Sequence, residues 1–482
     1  MRWAVAAVQW STGLAKWSRN PCWQPIVRGV PTPTGDLLLR RSPTLAVFRQ
    51  GLPLALGLAL HATINLVDLA MVGRLGEDAV QAAHVATTWN FLPMLVGQCV
   101  STALLAWLAR LLGAGQSAAA RAVNRRAQWA MLHFAVGLGV LTALPAAAMI
   151  DATGLQGTVR EQAIEYLVVS NLGCLPMFVL MQTTAAMRAV GQAWVPLLLL
   201  LLANGLNLAG NWVLLYGCEA MLVPAWGVVG AAYATVGARA IAALLAVAWL
   251  CRRDHELSLR GEASVRPRVV LPLLRDAWPQ AVQIGLRAGL VLALTILVQQ
   301  RFGATATTSL GIATRLDTLV LFASLGFASA ATAYAGRAVA AGNPIAARSA
   351  GLAAAWQAAL FGGVCVLGYQ CGAEAIVAWF VPQPTVALRE LTVLYFDRAA
   401  WSQVLGAAAI GAMGAVQGSG HMRAPLLADV VGFTAVAGCM LVPWCSGAEL
   451  SGIYTGLVVG MVVVAALQLW LVARGRWALA VG

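Results

Sequence analysis

Apolar and polar positions along this chain are segregated into long blocks. After Arg49, predominantly apolar stretches recur near 51–72, 82–109, 127–149, 163–187, 196–216, 227–250, 278–300, 306–336, 351–369, 390–416, 425–444 and 452–473. Each holds about 20 residues or more, the length that crosses a bilayer as an α-helix. The polar connections are short, except the basic segment from Arg252 to Arg275 between the sixth and seventh stretches. The pattern predicts an all-α integral membrane protein of twelve transmembrane helices. They form two six-helix lobes, 45–251 and 276–482, joined by a cytoplasmic linker at 252–275. Residues 1–44 form a basic leader, expected to be poorly ordered; Trp3, Trp10 and Trp17 recur every seven residues, which also fits a helix lying on the inner membrane surface. No small-residue cleavage site follows a clean apolar core, so a signal peptide is not expected.

The first apolar stretch carries the most informative polar positions. Asp68 lies roughly 9 Å inside the end marked by Arg74, at ~1.5 Å rise per residue. His61, Asn65 and Asp68 stand at i, i+4 and i+7 and share one helix face. A polar stripe on an apolar span faces protein or water, and an intramembrane acid is a functional-site hypothesis by default. The plainer alternative is that Asp68 bonds a neighbouring helix. Asn204, Asn207 and Asn211, at i, i+3 and i+7 of the fifth stretch, form a second stripe. Amide oxygens beside one carboxylate suit a hard cation such as sodium; asparagines also join helices by hydrogen bonds. His61 is either a proton relay to Asp68 or a satisfied core histidine. Arg239 would pair with Asp68 or bond backbone carbonyls.

Composition fixes the class. The chain is 60% hydrophobic and only 10% charged, against about 25% charged in soluble domains, and its mean hydropathy is +0.78. A net charge of +13 invites a nucleic-acid partner, but the arginines sit in alternate short connections, as topology determinants do. The sole lysine, Lys16, leaves no P-loop GK[ST] motif. The nine cysteines are scattered without a C-x-x-C pair and indicate neither zinc nor a disulfide framework. No G-x-S-x-G, H-E-x-x-H or aspartate-rich motif supports an enzyme.

Charge also predicts orientation. Arg40, Arg41 and Arg49 precede the first stretch. Arg121, Arg125, Arg126, Arg188, Arg252, Arg253, Arg260, Arg266, Arg268, Arg337, Arg348 and Arg423 occupy the even connections, with Arg474 and Arg476 in the tail. The opposite connections hold Glu77, Asp78, Asp151, Glu161, Glu219, Glu374 and Glu449. Both termini are therefore expected to be cytoplasmic, with Asp68 in the outer half of the membrane. The halves repeat: Ala114-Gly115, Ala119-Ala120-Arg121 and Trp129 match Ala341-Gly342, Ala346-Ala347-Arg348 and Trp356 at constant offset. Gly191 and Pro196 match Gly420 and Pro425. Six spans per copy imply a pseudo-two-fold axis along the membrane normal. Asp68 breaks that symmetry, since its counterpart in the seventh stretch is near Thr295.

A series of motifs follows in order along the chain: Pro53, Leu66-Val67-Asp68, Gly73-Arg74-Leu75-Gly76, Ala109 to Gly115, Arg188-Ala-Val-Gly191 with Pro196, Asn207 to Asn211, Gly227 to Thr235, and Gln417-Gly-Ser-Gly420 with Pro425. By their order and spacing, residues 45–475 resemble the multidrug and toxic compound extrusion (MATE) family. The resemblance implies a two-lobed exporter driven by inward flow of H+ or Na+. It implies that Asp68, Asn207, Asn211, Thr235 and the Ala231 carbonyl form the coupling site, any Na+ binding at Asp68. Some members carry an aspartate where Asn211 stands; others have a glutamate near Arg287 and an aspartate near Gly406. None of these acids is present, which speaks against a second-lobe ion site.

His61, Asn65, Asn204, Tyr233 and Arg239 are candidate substrate-cavity residues. Trp89, Phe91, Trp212 and Tyr233 offer cation–π faces or simple packing. Arg287, Arg315, Asp317, Asp397, Arg398 and Asp429 are read as structural ion pairs, a substrate pathway being the alternative. The reading is a monomeric plasma-membrane antiporter that exports amphipathic, often cationic small molecules for H+ or Na+ by alternating access. Its partners are substrate and lipid, with no nucleic acid and no cofactor. The alternative is a flippase for lipid-linked precursors.

Overall fold

The structure, a computed structural model, describes residue 39 and residues 41–219, 222–252, 255–261, 269–381 and 383–479; of residues 65, 66 and 69 only the backbone is described. Most of the leader, including its tryptophan repeat, and linker residues 262–268 lie outside the described residues. The chain runs as α1 (Pro43–Gly73), α2 (Glu77–Gly113), α3 (Ser117–Ala143), α4 (Ala146–Asp151), α5 (Gly157–Leu172), α6 (Cys174–Ala189), α7 (Trp194–Tyr216) and α8 (Gly227–Leu250). It continues as α9 (Val270–Ala340), α10 (Pro344–Cys371), α11 (Ala373–Phe380), α12 (Val386–Arg398), α13 (Trp401–Gly418), α14 (Arg423–Cys445) and α15 (Leu450–Arg474). The architecture is all-α, and these helices cover the twelve apolar stretches read in the sequence.

Among the described residues nine helices are long and apolar enough to cross a membrane, or ten if the bent pair α12–α13 is one span. The 71-residue α9 counts once, although Gly303, at φ 78°, divides it into two arms. α3 is not among them; its first turns carry Arg121, Arg125 and Arg126.

Helix ends follow from local chemistry. The Ser42 hydroxyl accepts from the Leu45 amide at 3.4 Å, and Pro43 opens α1. The repeated Ala-Gly pairs close α2 and α9 in the same way. Gly115 and Gly342 adopt φ +71° and +76°, and the next amides, Gln116 and Asn343, donate back to Leu111 and Ala338 at 2.9 and 2.8 Å. Glycine enters the left-handed region without the Cβ clash, so it stops both helices and spends the orphan carbonyls. The fourth and tenth spans are each broken, at Gly173 and at Ala399-Ala400, where α12 and α13 meet at 42°.

The lobes meet at their arginine-rich ends through backbone-to-backbone approach. A Cβ on Gly113 would sit 2.3 Å from the Arg337 carbonyl oxygen, and one on Gly326 would sit 2.4 Å from the Ala55 nitrogen. Arginines tie the same seam. Arg188 donates to Ser329 Oγ and Ser101 Oγ, each at 3.0 Å, and Arg337 Nε donates to the Ala189 carbonyl at 2.9 Å. Overpacking a close-packed contact costs ~1–3 kcal/mol. Gly113→Val is therefore expected to shift the population away from the seam-closed state by about tenfold, 1.4 kcal/mol being a factor of ten. Accessibility of a cysteine placed at Ser329 would report the shift; unchanged accessibility would mean the seam yields without opening.

Candidate ion-coupling site

Two polar stripes meet where α1, α7 and α8 pack together. Each helix is apolar elsewhere, so the unpaired amides and carboxylate find one another in the protein interior, where burying them unpartnered would be costly. Asn211 Nδ2 donates to Asp68 Oδ1 at 2.8 Å. Asn207 lies 2.8 and 3.0 Å from the two Asp68 oxygens on one side and 2.9 Å from Thr235 Oγ1 on the other. Thr235 in turn donates to the Ala231 carbonyl at 2.9 Å. The Asn204, Asn207 and Asn211 side chains are all buried.

The Asn207 amide can satisfy this geometry in two ways. With Asp68 ionised, Nδ2 donates to both carboxylate oxygens and Oδ1 accepts from the Thr235 hydroxyl, whose single proton then turns from the Ala231 carbonyl to Asn207. With Asp68 protonated, the acid donates to Oδ1 and Nδ2 donates to Thr235 Oγ1. An amide's two ends are distinguished only by such a network, so a proton on Asp68 and the orientation of Asn207 are linked. Asn211 Oδ1 is buried without a hydrogen-bond partner among the described residues. With Asp68, Asn207, Thr235 and the Ala231 carbonyl it gives an all-oxygen donor set, the kind hard cations take. Among the described residues no group of three or more histidine, cysteine, aspartate or glutamate side chains forms a metal site.

The other candidates fall around this centre. His61 Nδ1 and Asn204 Oδ1 are 3.0 Å apart, one helix turn or more toward the arginine-rich end. Asn65 lies on α1 between them and Asp68, its side chain outside the described atoms. Among the described residues no ion pair joins Arg239 to Asp68; its Nη1 instead faces Met177 Sδ at 3.8 Å. Tyr233 is not brought in: it is 42% exposed and stacks edge-on with Trp226 at 5.2 Å. Trp212 and Phe91 are also exposed, whereas Trp89 packs against the α1–α2 core. The sequence reading missed Tyr216, whose hydroxyl donates to the Met71 carbonyl at 2.7 Å and fastens α7 to α1 just past Asp68. Its only signal was an aromatic near a span end, shared by every interfacial belt residue.

The second lobe differs. Thr295, opposite Asp68 by sequence symmetry, is half-buried and among the described residues bonds only its own helix, through the Val291 carbonyl at 2.8 Å. Of the six charges read as ion pairs, one pair forms among the described residues: Arg287 Nη2 to Asp429 Oδ2 at 3.2 Å. The fully buried Asp429 also accepts from Gln283 at 3.0 Å and Gln468 at 2.7 Å. Among the described residues Asp397 and Arg398, both exposed, form no ion pair, and Arg315 and Asp317 do not pair with each other.

Comparison with known proteins settles the family. The MatE family model matches residues 53–213 and 279–444, more than half of the chain. The chain belongs to the MatE family. A curated relative from Agrobacterium fabrum, named probable multidrug resistance protein NorM, is 26% identical over 466 residues, covering 92% of this chain and 95% of that one. A relative of the same name from Xanthomonas campestris pv. campestris is 29% identical over 390 residues, 78% and 81% of the two chains. An outward-facing multidrug resistance MATE transporter of the MOP superfamily superposes with TM-score 0.82 at 22% identity, over 92% of this chain and 98% of its own. A MOP superfamily transporter from Pyrococcus furiosus, described as having a binding pocket of reversed polarity, gives 0.82 at 22% over the same shares. These structures show that the chain shares their all-helical fold.

Proposed function

We propose that this MatE-family protein is a secondary antiporter that exports amphipathic, cationic organic molecules in exchange for H+ or Na+, as the names of its relatives suggest for multidrug efflux. The observation that carries the reading is Asp68, held by the Asn207 and Asn211 amides at 2.8 Å with no ion pair among the described residues. An acid already paired to an arginine would have no charge to exchange. An acid held by amides keeps its charge available to whichever cation arrives.

The cycle follows from competition. With Asp68 ionised, an organic cation entering from the cytoplasm is attracted in a low-dielectric cavity. A proton or Na+ arriving from outside neutralises the same carboxylate and turns the Asn207 amide, so the organic cation leaves. Only a ligand with different affinity for two states can drive the change between them, and the seam at Gly113 and Gly326 is the contact that must open and close. A flippase for pyrophosphate-linked lipids needs a cationic first-lobe cavity; a carboxylate and amides stand there instead.

Dye efflux from everted vesicles, with proton and sodium gradients imposed separately, tests the exchange and identifies the ion; efflux indifferent to both would overturn it. Orientation is tested on its own. Single cysteines near Arg260 and near Glu219 are expected to label from opposite sides of intact cells, the first only from the cytoplasm. Labelling of both from one side would remove Asp68 from the outer half.

A further inference from the structure

The second lobe contains a cavity of about 410 Å³ walled by apolar side chains, among them Leu290, Leu321, Ile410, Phe433 and Met461. That volume lies within the ~300–1,000 Å³ of small-molecule pockets, which combine apolar walls with a few placed polar groups. Among the polar groups that line this one are Arg287, Arg315, Asp317 and Ser402. Arg287 is committed to Asp429 at 3.2 Å. The other three are not.

Asp317 is the decisive residue. Only 7% of it is exposed. Its Oδ2 accepts from the Tyr395 hydroxyl and from Gln403 Nε2, which fix the carboxylate, while Oδ1 is buried without a partner among the described residues. Tyr395 from α12 and Gln403 from α13 reach the same oxygen across the bend between these helices, and Ser402, whose buried Oγ has no partner among the described residues, lines the same cavity. A fixed carboxylate with one free oxygen is a receptor for an N–H donor carrying positive charge. Two residues earlier on the same helix, Arg315 also lines the cavity and makes no ion pair or hydrogen bond among the described residues. Residues at i and i+2 diverge on a helix, so the guanidinium and carboxylate cannot close on each other. They present opposite charges to one partly open cavity.

We propose that this cavity is a second substrate site, selective for amphipathic zwitterions whose ammonium meets Asp317 and whose carboxylate meets Arg315. The guanidinium fork matches a carboxylate in two hydrogen bonds, the apolar walls take the hydrophobic tail, and Ser402 offers a further hydroxyl. The site is independent of the Asp68 exchange, because it lies in the other lobe and binds without a gradient.

Three fluorescent probes with one tail separate the possibilities: Nε-dansyl-lysine (zwitterion), dansylcadaverine (cation) and 6-(dansylamino)hexanoate (anion). Equilibrium binding to the full chain in nanodiscs is the readout. Nε-dansyl-lysine is expected to bind the parent about tenfold tighter than the anion. Asp317→Asn and Arg315→Gln should each weaken it about tenfold, the loss of one charge-assisted contact, and Arg315→Lys should recover part of that. Arg315 is exposed to the cavity, so its variants test the site even if Asp317→Asn misfolds. The proposal is overturned if Nε-dansyl-lysine does not bind the parent, or if the Arg315→Gln protein binds it at parental affinity. It is also overturned if Asp68→Asn abolishes its binding, which would put the ligand in the first lobe. Gradient-driven dye efflux, lost or kept, bears on the exchange reading alone.

Discussion

Asp68→Asn is expected to reach the membrane at parental abundance and to lose gradient-driven efflux. The substitution is nearly isosteric, and the local bonds survive it. Asn211 still donates to the retained oxygen at the 2.8 Å position, while the new amide nitrogen donates to Asn207 Oδ1 as Asn207 donates to Thr235. The site is thereby fixed in the arrangement of a protonated acid. What disappears is the charge for which ion and organic cation compete. Coupling free energies between two ligands are typically 1–3 kcal/mol, or about 5–150-fold, so accumulation against a gradient should fall by that order. Equilibrium density of a fluorescent organic cation in everted vesicles measures it. Parental pumping by the variant at normal abundance would make Asp68 a structural hydrogen-bonder.

Arg287→Gln is expected to act on stability. Arg287 is the only cation within 4 Å of Asp429 among the described residues, and that carboxylate has no exposed surface. Removing one partner of a buried pair typically costs 3–5 kcal/mol, because the remaining charge is uncompensated. The Gln283 and Gln468 amides hold that carboxylate at 3.0 and 2.7 Å and soften the loss without cancelling it. Reduced abundance and a lower unfolding temperature of the solubilised protein should follow. Asp429→Asn in the same chain should restore much of both, since a neutral network has no charge to strand. A well-expressed Arg287→Gln protein that binds substrate yet has lost ion coupling would place coupling in the second lobe.

Much of the first-lobe site was legible because helical periodicity converts sequence spacing into shared faces. His61 and Asp68 on α1 and the asparagines on α7 were aligned within each stripe by spacing alone, and the stripes proved to face each other. Tyr233 shows the limit. It lies two residues from both Ala231 and Thr235, and at about 100° per residue that carries it to the far side of α8, against Trp226. Arg239 was ambiguous because spacing fixes a face and not the reach of a long side chain; Met177 was closer. In the second lobe the charges were visible, but their partners were glutamines. Gln283, Gln403 and Gln468 come from three different helices, and nothing in linear order aligns them with Asp317 or Asp429. The break at Gly173 had a local signal that the reading did not use, Pro176, which has no N–H to bond the Leu172 carbonyl; the break at Ala399-Ala400 has no proline beside it and follows Asp397-Arg398.

The central claim is that one carboxylate is shared between the driving ion and the cargo. Its most direct test is equilibrium binding of tetraphenylphosphonium, a permanent organic cation, to the purified protein across pH and Na+ concentration. The parent is expected to bind more weakly as H+ or Na+ rises, because each neutralises Asp68, and Asp68→Asn is expected to bind weakly with no dependence on either ion. An Asp68→Asn protein that keeps the parental affinity and the parental ion dependence would contradict the account.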